Sequence, residues 1–149
     1  MTNVIHERPG VYSSYDASTA VRGGRAVRTV GVAAKSVSGT AGQVVRLTSY
    51  EMGLSAFGED DAGTPGMSTI LRLLFLGGAS TVAAVRVEGE DYTAAFAALQ
   101  AAEDVQVVVC DSGELTVQQA LRASLESASA ARRERIAVVG MSGASTAEL

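Results

Sequence analysis

From Ser80 to Ser142 the sequence alternates strand-like and helix-like segments, and that alternation constrains the fold more than any other feature of the chain. "STVAAVRV", Ser80 to Val87, has the apolar β-branched character of a strand. "DYTAAFAALQAA" follows as a helix, with Asp91 placed to cap it and Tyr92, Phe96 and Leu99 along one face. "VQVVV", Val105 to Val109, is a short apolar run of the kind buried in a parallel sheet. Thr116 and Gln119 have capping-box spacing, and Val117, Ala120, Leu121, Ser124, Leu125 and Ala128 form the inner face of a helix of about four turns. "RIAVVGMS" is the next strand. Strand, helix and strand at this spacing predict right-handed parallel crossovers. The fold class is therefore α/β, a mostly parallel or mixed sheet covered by helices.

The first half adds elements with less regular spacing. "VRTVGVAA", Val27 to Ala34, is a strand candidate, followed by a Ser, Gly and Thr loop through Gly42. "QVVRLTS" supplies a short strand, and Ser49 can cap a helix in which Tyr50, Leu54 and Phe57 recur at i, i+4 and i+7 before Gly58 ends it. "GEDDAGTPG" reads as a loop. "MSTILRLLFLGG" reads as a helix stopped by Gly77 and Gly78, with Ile70, Leu71, Leu73, Leu74, Phe75 and Leu76 around most of its circumference. Such a helix is expected to be buried on several sides.

Size and composition narrow the class. A chain of 149 residues is one domain long and can bury roughly two thirds of the surface its unfolded form exposes. It is 47% hydrophobic but only 5% aromatic, which suits a packed α/β domain or a repetitive assembly. No run of about eighteen apolar residues occurs, and Met1 to Gly10 is polar with Pro9, so neither a membrane span nor a secretory signal is expected. The single cysteine, Cys110, leaves no internal disulfide and fits a reducing compartment. Charge is divided unevenly. Residues 1–50 carry six basic and two acidic side chains, and residues 51–149 carry six basic and fourteen acidic. A basic head could meet an acidic body on a neighbouring copy, or the surface charges simply fall unevenly. Nucleic acid is a poor partner, because the basic residues lack interleaved aromatics and the whole is acidic.

Catalytic and metal-binding patterns are weak. Cys110 follows a strand end, where open α/β sheets bind ligands, but the only histidine is His6, in the polar N-terminal segment. "GMSGAS", Gly140 to Ser145, lacks dinucleotide and P-loop spacing and only half resembles a nucleophile elbow around Ser142. A small hydrolase or nucleotide binder using Cys110 or Ser142 is the alternative function, with a buried inert thiol and a glycine-rich turn as the plainer readings. "GEDDAG" lacks the alternating carboxylates and closing Glu of a calcium loop and reads as a solvated loop. "EGEDY" places acid at a helix N-terminus, and "RRER", Arg132 to Arg135, places cations at a helix C-terminus; the helix dipole accounts for both. No catalytic residue, cofactor or metal is expected.

The N-terminus raises a different question. "HERPGVYSSYDAS", His6 to Ser18, is a Pro-Gly turn running into an extended segment that is polar on both faces, Val11, Ser13 and Tyr15 on one and Tyr12, Ser14 and Asp16 on the other. It is too polar for a central strand of the chain's own core. Together with "VVRLTSYEMGLSAFG", an apolar helix ending in "LGGASTVAAVRV", and "LTVQQALRASLESASAARRERIAVVG", in that order, "PGVY" resembles the N-terminal part of phage tail sheath proteins. The resemblance spans about Pro9 to Gly140.

What the resemblance implies is structural. Sheath subunits polymerise as stacked rings around a tail tube in contractile phages, related bacteriocins and other contractile injection machines. They contract to drive the tube through a target envelope, and they meet tube, baseplate and tail terminator proteins. The implied partners include neighbouring sheath subunits, with no nucleic acid and no membrane insertion; the implied location is a virion tail or extracellular particle assembled in a bacterial cytoplasm. Terminal arms in that family add strands to a neighbour's sheet. The arm role falls on Gly10, Val11, Tyr12, Ser13, Ser14, Tyr15, Asp16 and Ala17, within an arm over 1–20 that precedes an α/β domain over 21–149. The alternative is that the segment folds back as an edge strand on its own domain. Family members are generally longer, and this sequence ends in "STAEL", which reads as the start of another helix. The expectation is an N-terminal fragment of a longer protein or a truncated gene.

Overall fold

A computed structural model describes residues 29–140. In chain order the elements are β1 (Thr29–Lys35), β2 (Val44–Leu47), α1 (Tyr50–Phe57), α2 (Met67–Leu76), β3 (Thr81–Val87), α3 (Tyr92–Ala101), β4 (Val105–Cys110), α4 (Leu115–Ala130) and β5 (Ile136–Val138). The strands form one sheet in the order β2-β3-β1-β4-β5. All neighbouring pairs are parallel except β2 and β3, which run antiparallel. The sheet is therefore mixed, and the α/β class read from the sequence holds.

Period-two alternation along the central strands divides the core into two layers. Ala33, Ala83, Val85 and Val87 face α3 and α4, whose Phe96, Leu99, Val117 and Leu121 close over them. Val32, Ala34, Val82 and Ala84 face the opposite way, against Phe57 of α1 and Met67 and Leu71 of α2. Each large side chain in these layers contributes on the order of 1.5–3 kcal/mol by leaving water. The register of β4 against β1 shifts between Thr29 and Val30. That irregularity lets Val105 and Val108 both join the α3 side while Gln106 stays exposed. Helix α1 approaches α2 closely at Gly53, where a Cβ would stand 2.6 Å from Leu71 Cδ1.

Local signals set most helix ends. Ser49 accepts from the Met52 amide at 3.3 Å and Asp91 from the Ala94 amide at 3.3 Å, as their spacing predicts. Helix α2 closes with the Ala79 amide on Leu74 O and the Gly78 amide on Phe75 O, with Gly78 at φ 91°. This is a Schellman motif, and the glycine takes its left-handed position.

Three expectations are corrected. First, Thr116 and Gln119 form no capping box: α4 begins at Leu115, Glu114 holds the cap position without a side-chain bond, and the Ser112 hydroxyl accepts from the Glu114 amide at 3.2 Å. Second, among the described residues α2 is not buried on several sides. Met67, Ser68 and Leu71 are buried, but Leu73 is 64% and Leu76 76% exposed, because only one face of the helix meets the sheet. Third, the arginine run does more than sit at its own helix pole. Arg135 donates to Leu99 O (2.8 Å), Gln100 O and Ala102 O, and Arg133 donates to Gln100 O, so these guanidinium groups satisfy the last carbonyls of α3. Burial, with the neighbouring Arg133 charge, lowers the pKa of Arg135.

Candidate functional site

The arm residues Gly10 to Ala17, and Ser142, lie outside the described residues. Within them, the place to look for chemistry is the edge where the parallel strands end, the crevice in which open α/β sheets bind ligands. Here β1 ends at Lys35, β4 ends at Cys110 beside Asp111, α3 begins at Tyr92, and the loop from Asp60 to Gly66 arches over them. Lys35, Asp111 and the loop residues Asp60, Asp61 and Thr64 to Gly66 border a cleft of about 190 Å³.

Two carboxylates dominate this edge, and both are committed to holding the fold. Asp111 accepts from the Lys35 amide at 2.9 Å and from the Tyr92 hydroxyl at 2.5 Å, which ties the ends of β1 and β4 to the start of α3. Burial, reinforced by Asp111, pushes the Tyr92 phenol far up, so it stays a donor. Asp60 accepts from the amides of Gly66 (2.9 Å), Ser68 (3.1 Å) and Thr69 (2.8 Å) and from the Thr69 hydroxyl (2.8 Å). The Ser68 hydroxyl accepts in turn from the Asp60 amide at 3.0 Å. Asp60 thus supplies from the loop the N-terminal cap that Gly66 cannot provide. Partial burial works against its charge, but these four donors outweigh it and hold its pKa below the usual value. Glu59 and Asp61 beside it are exposed, as a solvated loop predicts.

Cys110 is a poor nucleophile in this setting. Its thiol is 8% exposed and lies 3.5 Å from the Ser112 carbonyl. Burial pushes its pKa up, opposed by the bond with Ser112 and assisted by the Asp111 charge, so the reactive thiolate is disfavoured. Asp111, the nearest carboxylate in sequence, spends its oxygens on Lys35 and Tyr92.

At the opposite end of the strands a third carboxylate, Asp104, spans the sheet. Asp104, just before β4, receives a two-pronged contact from Arg46 of β2, at 2.5 and 2.6 Å, and the Thr29 hydroxyl of β1 at 3.0 Å. Two strands, β1 and β2, are thereby anchored to the turn between α3 and β4. Sequence reading did not find this role, because neither residue has a local partner.

The remaining features are surfaces suited to contact. Helix α2 presents Leu73 and Leu76 beside Tyr50 and Arg72, along a shallow groove of about 490 Å³ rimmed by Glu59 and Asp61. At the last strand, Ile136, Val138 and Val139 are exposed. Among the described residues no helix is long and apolar enough to cross a membrane.

Comparison with known proteins bears on the fold. No family model matches the sequence, and no curated protein matches it. Among solved structures, the fold is similar to a chain of the anti-feeding prophage (AFP) helical sheath in its contracted state, with a TM-score of 0.62 and 20% sequence identity. The alignment covers 97% of this chain and 43% of that one. The chain thus has the α/β fold found in a contractile sheath, and it spans less than half the length of the sheath chain it matches. The resemblance drawn from "PGVY" and the segments after it holds at the level of the fold.

Proposed function

We propose that this chain is a structural subunit of a contractile sheath, which polymerises around a tail tube and shortens to drive it through a target envelope. The single observation that carries this reading is the likeness to the AFP sheath over 97% of the chain. The strand-end crevice is compatible with it: Asp60 and Asp111 serve as internal fasteners, and Cys110 is a buried thiol whose pKa burial pushes up.

In this reading residues 10–17 are an arm that leaves the subunit and pairs with the sheet of a neighbour, with Tyr12 and Tyr15 as its side-chain anchors. A segment polar on both faces suits strand addition, since main-chain hydrogen bonds give affinity without a large apolar face. Residues 1–20 form the arm, and 21–149 form the α/β domain of a longer sheath protein. The partners are other copies, a tail tube protein, and the baseplate and terminator proteins that close the assembly. The particle is a phage tail or an injection machine put together in a bacterial cytoplasm.

The test is electron microscopy of the chain co-produced with a tail tube protein. Tubes coated by a striated layer containing this chain are expected. Bare tubes, with the chain left as a free monomer, would overturn the proposal.

A further inference from the structure

Helices α1 and α2 lie over one face of the sheet and leave between them the groove of about 490 Å³. Tyr50, at the start of α1, and Arg72, Leu73 and Leu76 of α2 wall it, and Glu59 and Asp61 stand at the end nearer the loop before α2. Leu73 is 64% and Leu76 76% exposed, so the wall is apolar and has no cover among the described residues. The loop end carries charge of one sign. Glu59 and Asp61 are exposed, and neither joins an ion pair among the described residues. Asp60 adds a third carboxylate, against Arg72 as the one cation lining the groove.

The chain carries a segment of matching chemistry next to this groove. Residues 21–28, VRGGRAVR, lie outside the described residues and lead directly into β1. They hold Arg22, Arg25 and Arg28 with no acidic residue, and Val21, Ala26 and Val27 can supply apolar contact. Their length fits too. Thr29 pairs in register with Thr81, and the short turn from Gly77 to Ser80 joins α2 to Thr81, so β1 begins at the end of the sheet where α2 finishes. Gly66, before α2, lies close to Lys35 O at the other end of β1. A segment leaving Thr29 must cross one helix layer, about 10 Å, and run the length of α2, about 15 Å, to reach Glu59 and Asp61. Eight extended residues span about 26 Å.

We propose that residues 21–28 fold back along the groove between α1 and α2 of their own chain, with Val27 against Leu76 and Tyr50 and Arg22 beside Glu59 and Asp61. Covering Leu73 and Leu76 supplies the apolar contact, and the charges set the direction of the segment. The tether at Thr29 holds it at an effective concentration on the order of millimolar, which favours its own groove over that of a second copy. The inference does not depend on the sheath reading. It sets where residues 10–17 leave the domain, at the loop end of the groove instead of beside Thr29.

The test is a disulfide in the full 149-residue chain carrying Cys110→Ala, so that Val27→Cys and Leu76→Cys provide the only thiols. Mild oxidation is expected to close an intrachain bond, seen as a faster monomer band without reductant and as a linked pair of peptides after digestion. Val27→Cys with Val138→Cys, on the far strand, should stay open. Arg22→Glu should slow closure by about two- to five-fold, as should Asp61→Lys, and the two together should restore it. If circular dichroism shows that the first pair has not folded, Ala26→Cys with Leu73→Cys decides instead. The proposal is overturned by a folded protein that forms no bond, by a bond that joins two copies as a dimer, by closure as fast to Val138→Cys, or by charge reversals that leave the rate unchanged.

Discussion

The Tyr92 hydroxyl donates to Asp111 Oδ1 while the Lys35 amide donates to Asp111 Oδ2, so one carboxylate joins the first turn of α3 to the ends of β1 and β4. Tyr92→Phe keeps the ring that packs near Phe96 and removes only the hydroxyl. The loss of a hydrogen bond to a charged acceptor should cost about 1.5–3 kcal/mol. Urea denaturation should show a lower midpoint with an unchanged slope; an unchanged midpoint would mean that solvent replaces the hydroxyl at no cost.

Asp60 caps α2 from outside the helix, so its removal should act on α2 and the loop together. Asp60→Ala leaves the Ser68 and Thr69 amides without their acceptor and should destabilise by about 1–3 kcal/mol. Hydrogen exchange should accelerate first at the amides of Gly66, Ser68 and Thr69. Protection unchanged there would show that the cap contributes nothing.

Acid should release the Arg46–Asp104 anchor. The Arg46 fork, against partial desolvation and with help from Thr29, holds the Asp104 pKa at about 2, below its ordinary 3.8. A depressed carboxylate pKa contributes stability that is complete above the unfolded value and is lost as pH falls through the folded one. The window therefore runs from about pH 4 down to about pH 2. Both side chains are about half exposed, so solvent screens the pair and its effect is smaller than the shift alone implies. In urea titrations Asp104→Asn should lose less stability than the wild type across this window. Parallel curves for the two proteins would contradict the assignment.

Helix α4 ends in a Schellman motif, with the Arg133 amide on Ala128 O (2.9 Å) and the Arg132 amide on Ser129 O (2.8 Å). The left-handed position belongs to Arg132, at φ 58°, where glycine is the usual occupant. Arg132→Gly should therefore stabilise the protein, by roughly 0.5–1 kcal/mol, since it relieves a strained backbone at a side chain that makes no described contact. A lower thermal midpoint would show that Arg132 has a role its backbone conformation does not reveal.

What the sequence made legible was local. Ser49, Asp91, Gly58 and Gly78 bound their helices because a cap or a left-handed turn is decided within a few residues. The α/β class followed from alternation along β3, α3, β4, α4 and β5. Features that depend on distant chain segments were not legible. Asp60 became a cap only when its loop folded over α2, and Arg135 reached the end of α3 only once β5 lay beside β4. The antiparallel placement of β2 beside β3 is set by pairing along a four-residue strand, which no pattern in "VVRL" encodes. Helix α2 was expected to be buried on several sides because hydrophobicity counts residues without asking which of them the described part of the chain covers.

The most direct test of the sheath account is negative-stain imaging of the chain beside a copy lacking residues 1–18. The account predicts tubes or rings from the full chain and none from the shortened one, because in that proposal the subunits are joined by strand donation from residues 10–17. Identical assemblies from both, or dispersed particles from both, would contradict it.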